Sequence, residues 1–182
     1  LAELAASTLP GADGLLFIPT FNGSSAPIVD LSARGALLGL TLAHKREHVI
    51  RALLEGVSME LRWMLDAMIA LGVNIENIYL VGGGARSPIW NQIHANVLGV
   101  PVTTLHIADA AMVGAAMCAV IGIGAYANWN EAASRFVQVK AVIEPDYNTQ
   151  EVYLSLYENY KNIFVKLKQS GIFQRTTPTA SA

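Results

Sequence analysis

Charge is what this sequence has least of. Asp, Glu, Lys and Arg make up 14% of its 182 residues, against roughly 25% in an ordinary soluble domain. Its 12 basic and 14 acidic side chains give a net charge of −2. The basic ones are scattered, which excludes the cationic stripe of a nucleic-acid-binding domain and leaves nothing to draw the chain to acidic lipid. Cysteine is nearly absent: Cys118 stands alone in an alanine-rich apolar run. A disulfide framework is therefore excluded, and a reducing cytoplasm fits best. Metal patterns are missing too. His44 and His48 are four apart, but no third His or Cys lies near, and His94 and His106 belong to other elements. The plainer reading of the pair is two solvated histidines at a helix start. Asp30, Glu55, Asp66, Asp109 and Asp146 include no obvious close pair for acid–base work, and Ser24 and Ser25 lack the Gly-x-Ser-x-Gly setting of a hydrolase nucleophile. Leu1 to Leu9 lacks the basic start of a signal peptide. These residues nominate no catalytic group and no metal ligand.

Glycine, by contrast, is concentrated in one informative place. Ile78 to Val81 is an apolar run suited to a strand buried on both faces. Gly82, Gly83 and Gly84 then clear every side chain from the turn, so a ligand can approach the backbone. Ser87 suits an N-cap and Pro88 the first helical position. Ile89, Ile93 and Val97 repeat at helical spacing, and Gly99 ends the helix. A helix start behind a glycine turn offers free N–H groups and a positive dipole end, which suits a phosphate or a nucleotide. Many α/β proteins place glycine there only to turn, but three in a row exceed that need. On local sequence, nucleotide binding stands ahead of a plain turn. A Walker loop is excluded because no lysine follows the glycines. A dinucleotide fingerprint needs a third glycine where Ser87 stands, although Asp109 lies at a tolerable distance downstream, so that version stays open. Trp90 suits a purine stack, although such a residue is more often core.

The rest of the chain reads as alternating elements. Gly14 to Phe21 is a strand that Pro19 ends, Asn22 to Asp30 a loop, and Ala36 to Thr41 a second strand. From about Lys45 to Leu71 runs the clearest helix, with an apolar stripe of Ile50, Leu53, Leu54, Val57, Leu61, Met64, Leu65 and Met68, while Arg46, Glu47, Arg51, Glu55 and Arg62 take other faces. Val100 to Leu105 is a strand. Ala110 to Ala127 carries no charge, yet its alanines and glycines and its lack of basic flanks argue against a membrane span. It is expected as a buried helix packed tightly on the sheet. Asn130 to Phe136 reads as a short helix. Asp146 to Gln169 reads as an amphipathic helix through Val152, Leu156, Ile163 and Leu167. The expected organisation is one domain over 1–170 and a polar, frayed tail over 171–182. The order favours an open α/β sheet over a bundle.

Several separated segments resemble one family. Phe17-Ile-Pro-Thr-Phe-Asn-Gly, Pro27, Ala33-Arg-Gly-Ala-Leu-Leu-Gly-Leu-Thr and Arg51-Ala-Leu-Leu-Glu-Gly-Val resemble the second signature region of the FGGY carbohydrate kinases and the helix after it. Gly82-Gly-Gly-Ala-Arg-Ser-Pro-Ile-Trp-Asn-Gln resembles that family's adenosine motif, and Asp109-Ala-Ala-Met-Val-Gly-Ala-Ala its late helix. The resemblance covers nearly the whole chain. It implies an actin-like, ribonuclease-H-like ATPase domain, the C-terminal FGGY domain, N-terminally incomplete. It implies ATP and Mg2+ as cofactors, and a small sugar or polyol bound mainly by an upstream domain that also holds the catalytic aspartate and the phosphate loop. Carried over residue by residue, it assigns nucleotide binding to Gly83, Gly84 and Ala85, extends to Gly82 and Ser87, and reaches Trp90 or Asn91.

The departures bear on the substrate. Gly23-Ser24-Ser25-Ala26-Pro27 is nearer the glycerol kinase style, Asn96 stands where aspartate is usual and Asp109 where glutamate is usual. Gly82-Gly-Gly-Ala-Arg-Ser-Pro-Ile-Trp leans toward xylulokinase-like members, so xylulose ranks first, with glycerol or gluconate behind. A non-catalytic actin-like binding module is the rival from another class. The low charge also predicts apolar surface left uncovered between Leu15 and Leu42, the face expected toward the other domain, and self-association through it.

Overall fold

A computed structural model of the chain describes residues 2–176. A short helix, α1 (Ala2–Ala5), leads into an antiparallel pair, β1 (Leu16–Ile18) and β2 (Ala36–Leu38), and then the long helix α2 (Arg46–Ala70). β3 (Tyr79–Leu80), α3 (Pro88–Leu98) and β4 (Val102–Leu105) form a strand–helix–strand unit. After it come α4 (Ala110–Gly122), α5 (Trp129–Phe136), β5 (Val139–Ile143), α6 (Gln150–Gln169) and α7 (Ile172–Thr176). β4 pairs parallel with β3 and antiparallel with β5, so the three-stranded sheet is mixed and separate from β1–β2. The expected elements form where the sequence puts them; α1 and α7 are additional short helices and β5 an additional strand. Its signal is the alternation Val139, Ala141, Ile143, short and flanked by no turn glycine.

β1 and α2 cross in close contact. A Cβ at Gly56 would lie 2.2 Å from the carbonyl oxygen of Phe17, so only glycine permits this crossing. The contact turns Arg51, Ala52, Glu55, Gly56, Ser58 and Met59 into the deepest face of α2. The stripe expected from periodicity is instead half-buried, and Met68 is exposed. Burial of Arg51 and Glu55 corrects their assignment to an outer face. Arg51 Nε donates to Glu55 Oε1 at 2.6 Å, and its Nη2 donates to the Tyr153 hydroxyl at 2.7 Å. Arg51 Nη1 reaches the carbonyls of Ala5 and Thr8, and the Gly11 N–H donates to Glu55 Oε1. One ion pair thus ties the N-terminal segment, α2 and α6 together; Arg51 and Glu55 Oε1 are held by several hydrogen bonds, while Glu55 Oε2 and Thr8 Oγ1 are buried without a partner.

The buried face of α6 is likewise aromatic rather than aliphatic. Tyr153, Tyr157, Tyr160 and Phe164 line the core, while Val152 is exposed and Leu156, Ile163 and Leu167 are only partly buried. Aromatic rings bury more area than Val or Leu, and each phenol finds a carboxylate on α2: Tyr153 with Glu55, Tyr157 with Asp66, Tyr160 with Glu60. Burial first, and the adjacent carboxylates next, push all three phenols well above their ordinary range. Trp63 meets Tyr160 and Phe164 edge-on.

Three further expectations are corrected. The strand at Ile78 to Val81 is covered on one face only: Leu80, Ala95 and Val102 form a small core with Ile78, Ala85, Leu98 and Ile143, while Tyr79 and Val81 are exposed. α3 covers one side of the sheet and no described element covers the other. The charge-free helix is not buried on the sheet either. In α4 only Met117 is buried, and Met112 is 64% exposed. Its main contact is α5, and most of its remaining surface is exposed or half-buried. The expected polar tail begins as a helix instead, with Phe173 packed on Phe164 in the main core; residues 177–182 lie outside the described residues. No described helix is long and apolar enough to cross a membrane.

Candidate functional site

The glycine turn joins β3 to α3 at the carboxyl ends of the two parallel strands, where open α/β sheets bind ligands. Gly82 takes φ +81°, a left-handed conformation that favours glycine, and its N–H donates to the Ala108 carbonyl at 2.6 Å. That bond pins the start of the turn to the segment after β4. Gly83 is helical at φ −62°, and a tight turn over Gly84–Arg86 follows. Bonds from Arg86 N–H to Gly83 O and from Ser87 N–H to Gly84 O close it. Among the described residues, the N–H groups of Gly83, Gly84 and Ala85 have no recorded acceptor.

α3 starts as its sequence dictates. Ser87 Oγ accepts the Trp90 N–H at 3.3 Å, Pro88 occupies the first turn, and Gly99 closes the helix at φ +71°. All six nominated residues, Gly82, Gly83, Gly84, Ala85, Ser87 and Asn91, come together here. Their exposure differs. Gly82 and Gly83 face solvent, Gly84, Ala85 and Ser87 are half-buried, and Asn91 is 5% exposed. The Asn91 amide donates to the Ala85 carbonyl at 2.9 Å, so Asn91 ties the turn to the helix rather than opening to a ligand. Trp90 is half-buried against the main core, and its Nε1 donates to the Leu54 carbonyl at 3.2 Å. That is the core role, not a purine platform.

A cleft of about 610 Å³ opens beside the turn. Gly83, Arg86, Ser87, Pro88 and Ile89 line one wall, and Glu3 and Ala6 the other. No sequence signal announces Glu3 or Ala6, because they reach the turn only through the packing of α1 on α2 and α3. A second hollow of about 350 Å³ on the other side of the turn collects Arg86, His106, Asp109 and Lys140. Asp109 is engaged there as the N-cap of α4, accepting the Met112 N–H at 3.0 Å. Ser87 acts as a cap where a dinucleotide site would need its third glycine.

The remaining sequence candidates have structural partners. His48 Nδ1 accepts the Lys45 N–H and so caps the start of α2, while His44 Nδ1 accepts the Thr41 N–H and closes the turn before it. Asn96 Oδ1 accepts from Gln92 and from the Asp146 N–H. His94, which the sequence left unassigned, stacks on Trp90 with ring centroids 5.3 Å apart. Burial lowers its pKa to about 4, so it is neutral near pH 7, and its Nδ1 has no partner.

Together the glycine turn, the capped helix and the signature segments define a sugar-kinase domain. Residues 1–123 match the FGGY family of carbohydrate kinases, C-terminal domain, and the chain belongs to that family. Its fold is accordingly the actin-like, ribonuclease-H-like ATPase fold, and the family's enzymes are phosphotransferases. The chain is similar to the xylulose kinase of Bacillus subtilis (strain 168), at 33% identity over 158 residues, covering 87% of this chain and 32% of that protein. It is also similar to the glycerol kinase of Alkaliphilus oremlandii (strain OhILAs), at 35% identity over 160 residues, covering 87% and 31%. Among solved structures, xylulose kinase from Rhodospirillum rubrum aligns with a TM-score of 0.79 at 35% identity, over 95% of this chain and 34% of that one. Gluconate kinase from Lactobacillus acidophilus aligns with a TM-score of 0.77 at 28% identity, over 91% and 33%. The chain spans about a third of the length of the curated relatives it matches.

Proposed function

We propose that this chain is the nucleotide-binding part of a cytoplasmic kinase that transfers the γ-phosphoryl of ATP to a hydroxyl of a small sugar or polyol, D-xylulose first and glycerol or gluconate next. The observation that carries the reading is the turn itself: the N–H groups of Gly83, Gly84 and Ala85 are free just ahead of a capped helix, and the exposed Gly83 lines a cleft of about 610 Å³. Such a cleft holds a nucleoside, and the N–H groups and dipole end favour its phosphates. Gly82, Gly83, Gly84 and Ala85 approach the ligand, Ser87 fixes the helix start, and Asn91 holds the turn from beneath. Xylulose ranks ahead of glycerol because the turn sequence is xylulokinase-like and because xylulose kinases stand among the relatives and solved structures that resemble the chain.

This chain's contribution to the reaction is positioning. It orients the nucleotide, while the base that takes the acceptor's proton and most sugar contacts belong to the upstream domain. The bound nucleotide, with its Mg2+, supplies the phosphoryl group and the charge neutralisation. The described residues offer the metal no cluster of three His, Cys, Asp or Glu, so a Mg2+ would be held through the phosphates and by residues beyond this chain. Exposed Phe21, Leu31, Leu40 and Leu42, and again Met112 on α4 and Ile123 just past its end, support self-association through uncovered apolar surface.

Steady ADP release tests the activity, measured with xylulose, glycerol or gluconate for the chain alone and joined to an upstream FGGY half. The chain alone is expected to be silent, and the joined protein to respond most to xylulose. Sugar-dependent ADP release from the purified chain alone would overturn the division of labour.

A further inference from the structure

The three glycines of the turn do not have the same reason to be glycine. A Cβ built on Gly82 or Gly83 meets nothing within 4 Å, whereas one on Gly84 would lie 2.9 Å from Cζ3 and 3.1 Å from Cε3 of Trp90. The turn therefore rests on the indole at position 84. That indole is fixed on two further sides: Nε1 donates to the Leu54 carbonyl of α2 at 3.2 Å, and the ring stacks on half-buried His94 at an interplanar angle of 21°. The neighbouring residue completes the support, since Asn91 holds the Ala85 carbonyl from below.

We propose that Trp90 is a positioning residue of the nucleotide site: its indole, braced by Leu54 and His94, sets the height of the glycine turn above α3, and Gly84 is glycine to let the turn settle on the ring, while Gly83 is left bare for the ligand. The assignment rests on the nucleotide reading above. It separates two roles that a run of identical residues conceals. Deleting the outer carbons of the indole removes the floor under the turn, so the free N–H groups no longer converge, and nucleotide affinity falls although no side chain that touches the nucleotide has changed.

A double-mutant cycle on ADP affinity tests it, run on this chain by calorimetry with Gly84→Ala, Trp90→Leu and the double variant. Gly84→Ala should weaken ADP about tenfold in the parent, as overpacking against a braced ring does, and should cost nothing further once Trp90 is Leu. Trp90→Leu alone should weaken ADP severalfold. Trp90→Phe serves as a second background should the Leu variant fold poorly, because it also lacks the outer indole carbons that meet position 84. If Gly84→Ala costs the same factor with and without the indole, the glycine serves the ligand directly and the proposal falls, while the nucleotide site stands. If the parent chain itself binds no ADP, the nucleotide reading falls instead. The same cycle read by thermal unfolding then still decides the packing: additive losses there would remove the contact between turn and indole as well.

Discussion

α3 and α4 look alike in sequence and behave differently in the molecule. Both follow a strand, both begin at a side-chain cap (Ser87 and Asp109), and both are mostly apolar. α3 buries Asn91, Ile93, Ala95, Asn96 and Val97; α4 buries Met117 alone. Caps and propensity make a helix, but they say nothing about how much of it is covered. Burial depends on neighbours: α3 lies between α2, α6 and the sheet, whereas α4 leans on α5. Apolar content is therefore a poor guide to depth here, and the polar Asn91 is far more deeply buried than Met112.

The contrast predicts that substitutions around α3 are costly and those on α4 nearly free. The largest effect is expected from Glu55→Ala, which leaves Arg51 buried without its carboxylate beside the helix on which α3 rests. Removing one partner of a buried pair costs on the order of 3–5 kcal/mol, to be read by urea unfolding. A loss under about 1 kcal/mol would mean that water reaches the pair and that this side of the molecule is looser than described.

The next effect is a pH dependence. His94 on α3 has its pKa lowered to about 4 by burial, from the ordinary histidine value of 6.5. Between these values the unfolded chain binds a proton that the folded chain refuses, so stability falls as pH drops from 6.5 toward 4 and is unaffected by this group above that window. The loss reaches at most about 3 kcal/mol at the acid end. Comparing unfolding of the parent and His94→Gln at pH 7 and pH 4.5 isolates it. An identical pH slope in the two proteins would show that His94 is hydrated.

How far the sequence revealed this contrast depends on how local each signal was. Ser87, Pro88 and Gly99 bracket α3 within a dozen residues, so its ends and the candidate turn were legible. Glu3 and Ala6 were not, because only tertiary packing brings them to Gly83. The same holds for the buried faces. Helical periodicity identified α2 and α6 but chose the aliphatic stripe on each, since it cannot register that Gly56 lets β1 approach or that phenols on α6 find carboxylates on α2. β5 was missed because a short alternating run has little weight without a partner strand. α4 reads as covered because it carries no charge, but absence of charge does not measure depth.

Smaller changes sharpen the comparison at its two caps and faces. Ser87→Ala should cost about 1 kcal/mol through loss of the N-cap, and it should loosen the helix start that orders the turn. A neutral result would mean that Pro88 alone fixes the start. At the C-terminal end of α4, Ile123→Lys, at a position 80% exposed, should change stability by no more than about 0.5 kcal/mol and reduce self-association in sedimentation. A marked destabilisation would show that α4 is covered after all.

The central claim is that a nucleotide sits on the bare side of the glycine turn, and Gly83→Val tests it most directly. Gly83 has helical backbone angles and open space where a Cβ would go, so the variant should fold as the parent does, free of the clash that Gly84→Val would create with Trp90. Titration of both proteins with ADP should show binding to the parent and a loss of at least about tenfold, roughly 1.4 kcal/mol, in the variant. Equal affinity in the two would place the nucleotide elsewhere and contradict the account.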